Sequence, residues 1–286
     1  MAWQTSRFQI DLSQPKVMGI VNVTPDSFSD GGQHGSVAAA IRHCEQLILD
    51  GADILDIGGE SSRPGAQSLS QTDELARILP VVRAAVSLGV PVSVDTYKPQ
   101  VMQVVLDLGA DIINDIWALR WQDSAQGVSA AQVIAAHPSC GVCLMHMHLE
   151  PKTMQVQPMQ GDVVPQVLLF LERMANDLRG LGVENARIML DPGIGFGKTV
   201  AQNFSLLARQ AELLTAGYPL LAGWSRKSSL AGMGAGADHG AVLAVGDRLV
   251  PSLAAALLAA ERGASVLRVH DVKETVQALR VLAAIR

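Results

Sequence analysis

The chain has 286 residues, 49% of them apolar and only 17% charged, against about 25% charged in an average soluble protein; this supplies a large core and excludes disorder. Its net charge is −5 with lysines and arginines scattered, so no basic stripe marks a nucleic-acid or anionic-membrane partner. The longest stretch without Asp, Glu, Lys or Arg, 124–149, contains Pro138 and three histidines and is too polar to span a bilayer. The opening MAWQTSRFQIDLSQPK lacks the apolar core of a signal peptide, and the expected compartment is the cytoplasm. Three cysteines cannot build a disulfide framework. Cys140 and Cys143 have C-x-x-C spacing without a second pair for zinc, and read as buried small apolar residues.

Short β-branched apolar runs recur at 17–22, 54–57, 90–95, 112–114, 142–146, 187–191, 220–223 and 265–269, each ending in polar or glycine-rich residues. Between them lie helix-periodic segments at 38–49, 75–87, 101–108, 163–181, 204–216, 252–262 and 273–285. The fourth helix, within 123–137, is the weakest, being short and rich in Ala, Ser and Gln. Small-residue triplets (GAD at 51, GAD at 109, GAS at 263) read as helix C-caps leading into strands. Strands alternating with helices imply right-handed βαβ units and a parallel sheet. Eight units of roughly 36 residues predict a single (β/α)8 TIM barrel with its site at the C-terminal ends of the strands. A doubly wound sheet is the competing reading, but it shows one glycine-rich turn after its first strand, whereas here polar residues follow nearly every strand. Residues 1–15 read as an N-terminal extension and 16–286 as the barrel domain.

The strand ends carry the chemistry. The first strand runs into NVTPDSFSDGG at 22–32, a polar loop ending in two glycines and suited to act as a lid. Asn22 offers an uncharged oxygen that suits Mg²⁺ keeping several waters and phosphate ligands, or it caps the loop. The second strand runs into GGESSRPG at 58–65, where two glycines let backbone approach a ligand. Arg63 is placed to fork onto phosphate or carboxylate, or to pair with Glu60. The third, fourth and sixth strands end at Asp95, Asn114-Asp115 and Asp191. Two carboxylates and an amide there form an acceptor-rich wall suited to a flat heterocycle with several N–H donors, or they bond across the barrel. The fifth strand ends with His146 and His148, spaced as metal ligands or as ordinary strand-end histidines. GIGFGKT at 193–199 fails as a Walker A loop, because only three residues separate Gly193 from Gly197. It reads as a loop presenting Phe196 to a ligand, with Lys198 solvated. Arg226, Lys227, Arg268 and His270 gather cations after the seventh and eighth strands, where such barrels bind phosphate. Arg268 and His270 are two apart and share one face of their strand.

Taken in order, MGIVNVTPDSFSDGG (18–32), DIGGESSRPGA (56–66), VSVDTYKP (92–99), IINDI (112–116), LMHM (144–147), EPKTMQ (150–155), LDPGIGFGK (190–198), GWSRKS (223–228) and LRVHDVKET (267–275) resemble the dihydropteroate synthase family. The likeness runs from about residue 16 to the C-terminus. It implies a TIM barrel, usually dimeric, that joins 6-hydroxymethyl-7,8-dihydropterin diphosphate to p-aminobenzoate in folate biosynthesis. Diphosphate is released, 7,8-dihydropteroate is formed, and sulfonamides compete with p-aminobenzoate. Carried onto matching positions, the resemblance makes Asp95, Asn114, Asp191 and Lys227 pterin contacts, with Ile116 and Met145 as apolar walls. Asn22 matches the Mg²⁺ ligand. Ser62, Arg63, Arg268 and His270 match diphosphate contacts, and Pro64, Phe196 and Ser228 the p-aminobenzoate region. Asp30 falls on the family's mobile first loop. Ser62 stands where many members have Thr, Ile194 where Phe is common, and His148-Leu149 where Gln-Gly is common.

The expected reaction is an SN1-like displacement at the pterin methylene. Arg63, Lys227, Arg268, His270 and Mg²⁺ stabilise the departing diphosphate, and no strong general base is required. Three other readings stand beside it. A pterin-binding methyltransferase domain serving a corrinoid partner shares the acceptor wall but has no need of the SRKS and RVHD cations or of SSRPG. A non-catalytic paralogue binds pterin without turnover. A metal hydrolase uses His146 and His148. Apolar stretches at 253–260 and 278–285 suit pairing in a homodimer, although core burial predicts the same pattern.

Overall fold

The computed structural model describes residues 1–24, 32–61, 68–122, 127–150, 153–154, 156–234 and 242–285. The chain enters through an antiparallel hairpin, β1 (Ala2–Gln4) and β2 (Gln9–Asp11). Eight parallel strands follow: β3 (Lys16–Asn22), β4 (Ile54–Gly58), β5 (Val92–Asp95), β6 (Ile112–Asp115), β7 (Gly141–Met145), β8 (Ile188–Asp191), β9 (Leu220–Ala222) and β10 (Ala264–Val269). They close in the order β10-β3-β4-β5-β6-β7-β8-β9, the expected barrel. The helices between them are α1 (Gly32–Leu49), α2 (Gln71–Ala85), α3 (Pro99–Asp107), α4 (Ala130–Ala136), α5 (Val163–Gly180), α6 (Val200–Ala208), α7 (Gln210–Leu213), α8 (Leu249–Glu261) and α9 (Val272–Ala284). Helix α4 is short, as its composition predicts, and rests on a reciprocal Ser129–Gln132 capping box. The segment expected as one helix over 204–216 is α6, α7 and a 3-10 turn ending at Gly217, which adopts φ +79°.

Strand alternation sorts the side chains into two cores. One parity (Leu55, Ile57, Val92, Val94, Ile113, Val142, Leu144, Ile188, Leu190) packs with the helices in the large outer core. The other parity places Met18, Ile54, Ile112, Cys143, Met189, Leu221 and Val266 in a separate cluster with Trp3, Ile10 and Leu12. The first fifteen residues therefore floor the barrel. Trp3 is fully buried, and its Nε1 donates to Arg187 O at 2.9 Å. Arg7 pins the hairpin from outside, donating from Nε and Nη2 to the buried Asp111 carboxylate at 3.0 and 2.6 Å. Cys140 and Cys143 are buried in the two cores, and burial foremost pushes both thiols up. Among the described residues no helix is long and apolar enough to cross a membrane.

Candidate functional site

The floor parity, continued two residues toward the strand ends, builds the site. Above Ile54, Ile112, Cys143, Met189 and Val266 come Asp56, Asn114, Met145, Asp191 and Arg268. Asp56 is fully buried and binds three of its neighbours: it accepts from Ser93 Oγ at 2.6 Å, Asn114 Nδ2 at 3.2 Å and Arg268 Nε at 2.6 Å. Arg268 reaches on to Asp95, with Nη2 to Oδ2 at 2.8 Å. Asn114 commits its NH₂ to Asp56, which leaves Oδ1 as the acceptor it can offer a ligand. Asp191 accepts the Gly193 N–H at 2.7 Å. The expected wall of Asp95, Asn114 and Asp191 thus stands together at the mouth. Its central brace, Asp56, was not among the expected site residues, because it lies inside an apolar run rather than at its end.

Burial, followed by the Asp56, Glu74 and Asp115 carboxylates, pushes Asp95 up, while Arg268 opposes it. Burial also raises Asp191, against the Gly193 N–H and the Lys227, Lys198 and Arg268 charges. Lys227 is brought down to about 8 by burial and Arg268. His270 is held down at about 3 by burial, then by Arg268, Arg226 and Lys227. Ser225 Oγ accepts the His270 amide N–H at 3.1 Å and lies 2.9 Å from Nδ1. Ser225 thus holds both the backbone and the ring of His270, and the ring tautomer sets which partner donates in the Oγ–Nδ1 contact.

One side of the mouth is apolar. Ile116, Met145, Met147, Met154 and Phe196 form a cluster with Tyr97 and Trp117. Asp115 shapes the turn that presents Ile116, accepting the N–H groups of Trp117 and Leu119, both at 2.7 Å. These bonds hold Ala118 and Leu119 in the left-handed region, at φ 50° and 62°. The Lys227 ammonium sits 4.4 Å above the Phe196 ring, a cation–π contact. Ser228 is exposed at the start of the 3-10 segment Ser228–Gly234.

Two cationic groups differ from the sequence expectation. Arg226 is not offered to an anion: its guanidinium pairs with Asp271 at 3.1 and 2.5 Å, and its backbone holds φ 58°. Lys198 is not solvated but 3% exposed, and its Nζ lies 2.9 Å from His146 Nδ1. His146 is engaged with that lysine, and burial and Lys198 press it down to about 2. Glu60 joins an unexpected network behind the mouth. It accepts from Tyr97 Oη, from the Leu69 N–H and from Lys98, which also binds Glu74. Ser62, Arg63, Pro64 and Asp30 lie outside the described residues. Asn22 is half-buried at the C-terminal end of β3. Its amide oxygen is a donor type that magnesium accepts, and among the described residues no three His, Cys, Asp or Glu side chains gather to hold a metal by themselves.

A family model described as "Pterin binding enzyme" matches residues 18–270. The dihydropteroate synthase of Escherichia coli is 49% identical over 279 residues, covering 96% of this chain and 93% of its own. A structure of Xanthomonas albilineans dihydropteroate synthase with 4-aminobenzoic acid superposes with a TM-score of 0.89 at 43% identity, covering 100% of this chain and 98% of that one. A Burkholderia cenocepacia dihydropteroate synthase complexed with 7,8-dihydropteroate gives 0.86 at 45% identity, over 100% and 96%. An acceptor wall and a cation cluster share one barrel mouth, and the match runs through all eight barrel strands: the chain belongs to the pterin-binding enzyme family, with the dihydropteroate synthases as its relatives.

Proposed function

We propose that this barrel mouth joins 6-hydroxymethyl-7,8-dihydropterin diphosphate to p-aminobenzoate, forming 7,8-dihydropteroate and diphosphate in folate biosynthesis. The observation that carries the reading is the wall of Asp95, Asn114 and Asp191 standing beside Lys227, Arg268 and His270. The wall matches the N–H-rich edge of a pterin, and the cations match its diphosphate. The product-bound Burkholderia relative, whose ligand contains both the pterin and the arylamine, supports the assignment.

In this reading Asp95, Asn114 and Asp191 accept the ring N–H groups, and Ile116 and Met145 cover its faces. Lys227, Arg268 and His270, with Ser62 and Arg63, bind the diphosphate. As the carbon–oxygen bond lengthens, negative charge grows on the leaving group and positive charge spreads over the pterin methylene. The cations stabilise the first, and the Asp95 and Asp191 carboxylates stabilise the second. The arylamine enters beside Phe196, Pro64 and Ser228, attacks the methylene, and loses its proton after the bond forms. Asn22 would hold a magnesium ion together with diphosphate oxygens and water, which supplies charge neutralisation at the leaving group. We further propose a cytoplasmic homodimer. The exposed apolar side chains Val250 and Leu258 on α8 and Val281 on α9 support the subunit contact, and sedimentation equilibrium checks it.

The deciding assay follows diphosphate release from 6-hydroxymethyl-7,8-dihydropterin diphosphate with and without p-aminobenzoate and Mg²⁺. Release that needs Mg²⁺ and equals dihydropteroate formation is expected. Pterin binding without turnover would replace this reading with a non-catalytic or methyl-transferring relative.

A further inference from the structure

We propose that Lys198 is a positioning residue that fixes the Phe196 platform of the mouth, and through it the affinity for the arylamine. The inference rests on the arylamine assignment above. Lys198 hydrogen-bonds none of the acceptor wall, yet its ammonium is spent on the loop after β8 and on His146, the residue that follows β7. Nζ donates to Gly193 O at 2.9 Å and Phe196 O at 3.1 Å, and lies 2.9 Å from His146 Nδ1, with His146 O at 3.4 Å. An ammonium has three protons. The three short contacts use all of them when Nδ1 is the bare nitrogen of the ring.

The loop needs such a fastener. Gly193, Gly195 and Gly197 all sit at positive φ, at 68°, 83° and 72°, so the chain turns repeatedly without a ladder to hold it. It also lies hard against the segment that follows β7: a Cβ on Gly193 would fall 1.8 Å from His146 O, and one on Gly197 2.6 Å from His148 Cβ. Carbonyls forced inward by that turn are buried away from water, and a buried acceptor left unpaired is costly. Lys198 supplies the missing donors from inside the turn. From the other side Asn203 accepts the Gly195 N–H at 2.9 Å and donates to Ser229 Oγ at 2.9 Å. Between these two ties Phe196 is pressed onto Met145, Met147 and Met154, with Lys227 over its ring. Without the lysine, the carbonyl of Phe196 itself loses its buried partner, so the ring is the first group to shift.

The test is steady-state kinetics of Lys198→Met, which keeps the buried stem and removes the donors, alongside Phe196→Leu and the double variant. The expected result is an arylamine KM raised about tenfold or more, with the pterin diphosphate KM within about threefold of wild type. The double variant is expected to match Phe196→Leu alone, because the lysine acts through that ring. Independent, multiplying effects of the two substitutions would overturn the proposal, as would an unchanged arylamine KM. If Lys198→Met does not fold, His146→Leu keeps the lysine but removes one of its partners. That variant is expected to raise the same KM about threefold, and no change there would likewise overturn it. Wild-type consumption of p-aminobenzoate in the same assay judges the functional reading separately: its absence removes that reading, whereas its presence with an unshifted variant removes only this one.

Discussion

Replacing Asp56 by Asn perturbs the mouth without changing its shape. The carboxylate accepts three donors, at 2.6 Å from Ser93, 3.2 Å from Asn114 and 2.6 Å from Arg268. An amide has one oxygen to give. With that oxygen kept on Ser93, the new NH₂ faces the N–H groups of Asn114 and Arg268, and a charge-assisted bond becomes a clash of donors. Such a bond contributes about 1.5–3 kcal/mol, and the orphaned donor costs about as much again where water cannot reach it. Relief comes when Asn114 turns its amide over, which swaps the acceptor it shows the ligand for a donor, or when Arg268 swings off the wall. A net loss of about 2–3 kcal/mol in pterin diphosphate binding corresponds to about 30–150-fold. Titration calorimetry with that substrate measures it, and differential scanning calorimetry shows whether the variant stays folded. Ser93→Ala removes one of the three donors and is expected to cost about tenfold or less. A folded Asp56→Asn protein that binds within about threefold of wild type would refute the role given to this carboxylate.

Other outcomes follow from the proposed function and the described site. Asp191→Ala is expected to abolish detectable pterin binding, while Ser62→Ala keeps the ring affinity and mainly weakens diphosphate binding; calorimetry with pterin and pterin diphosphate separates the two, and wild-type affinities in both variants would dismiss the assignment. Trp3→Ala removes the fully buried indole that floors the barrel and should cost about 3–5 kcal/mol, read as a lowered midpoint in urea; a loss under about 1 kcal/mol would mean the hairpin is not part of the core. His270, held at about 3 by burial and its cationic neighbours, is expected to rise toward its ordinary value beside a bound anion. The histidine then takes up a proton on diphosphate binding near pH 6, so His270→Gln should show less uptake than wild type, measured by calorimetry in buffers of differing ionisation enthalpy; equal uptake by the two proteins would exclude the histidine from the anion site.

The strands, their order and the acceptor wall were legible in the sequence because each depends on local pattern. An apolar run that stops at Asp95, Asn114 or Asp191 advertises a polar group at a strand end. Asp56 escaped because it sits two residues short of its strand's end. Only the parity that stacks it above Ile54 shows that it belongs to the mouth, and that parity has meaning once the sheet has closed. The β1–β2 hairpin escaped for a different reason: three-residue strands are shorter than one recognisable alternation, so Trp3 carried no signal of its place in the floor.

Charge was the least legible property, since neighbouring cations meet opposite fates. Arg226 and Lys227 are adjacent, yet one is claimed by Asp271, 45 residues away, and the other stands over Phe196 beside Asp191. Lys198 follows a glycine-rich turn and precedes an exposed helix start, a setting that reads as solvent. It is buried because β7 and β8 pair and bring His146 beneath the turn. A sequence motif records that a lysine is present. Which acceptors surround it is decided by pairing across the barrel, and in this chain that decides whether a cation is left for the substrate or is consumed in shaping the pocket that receives it.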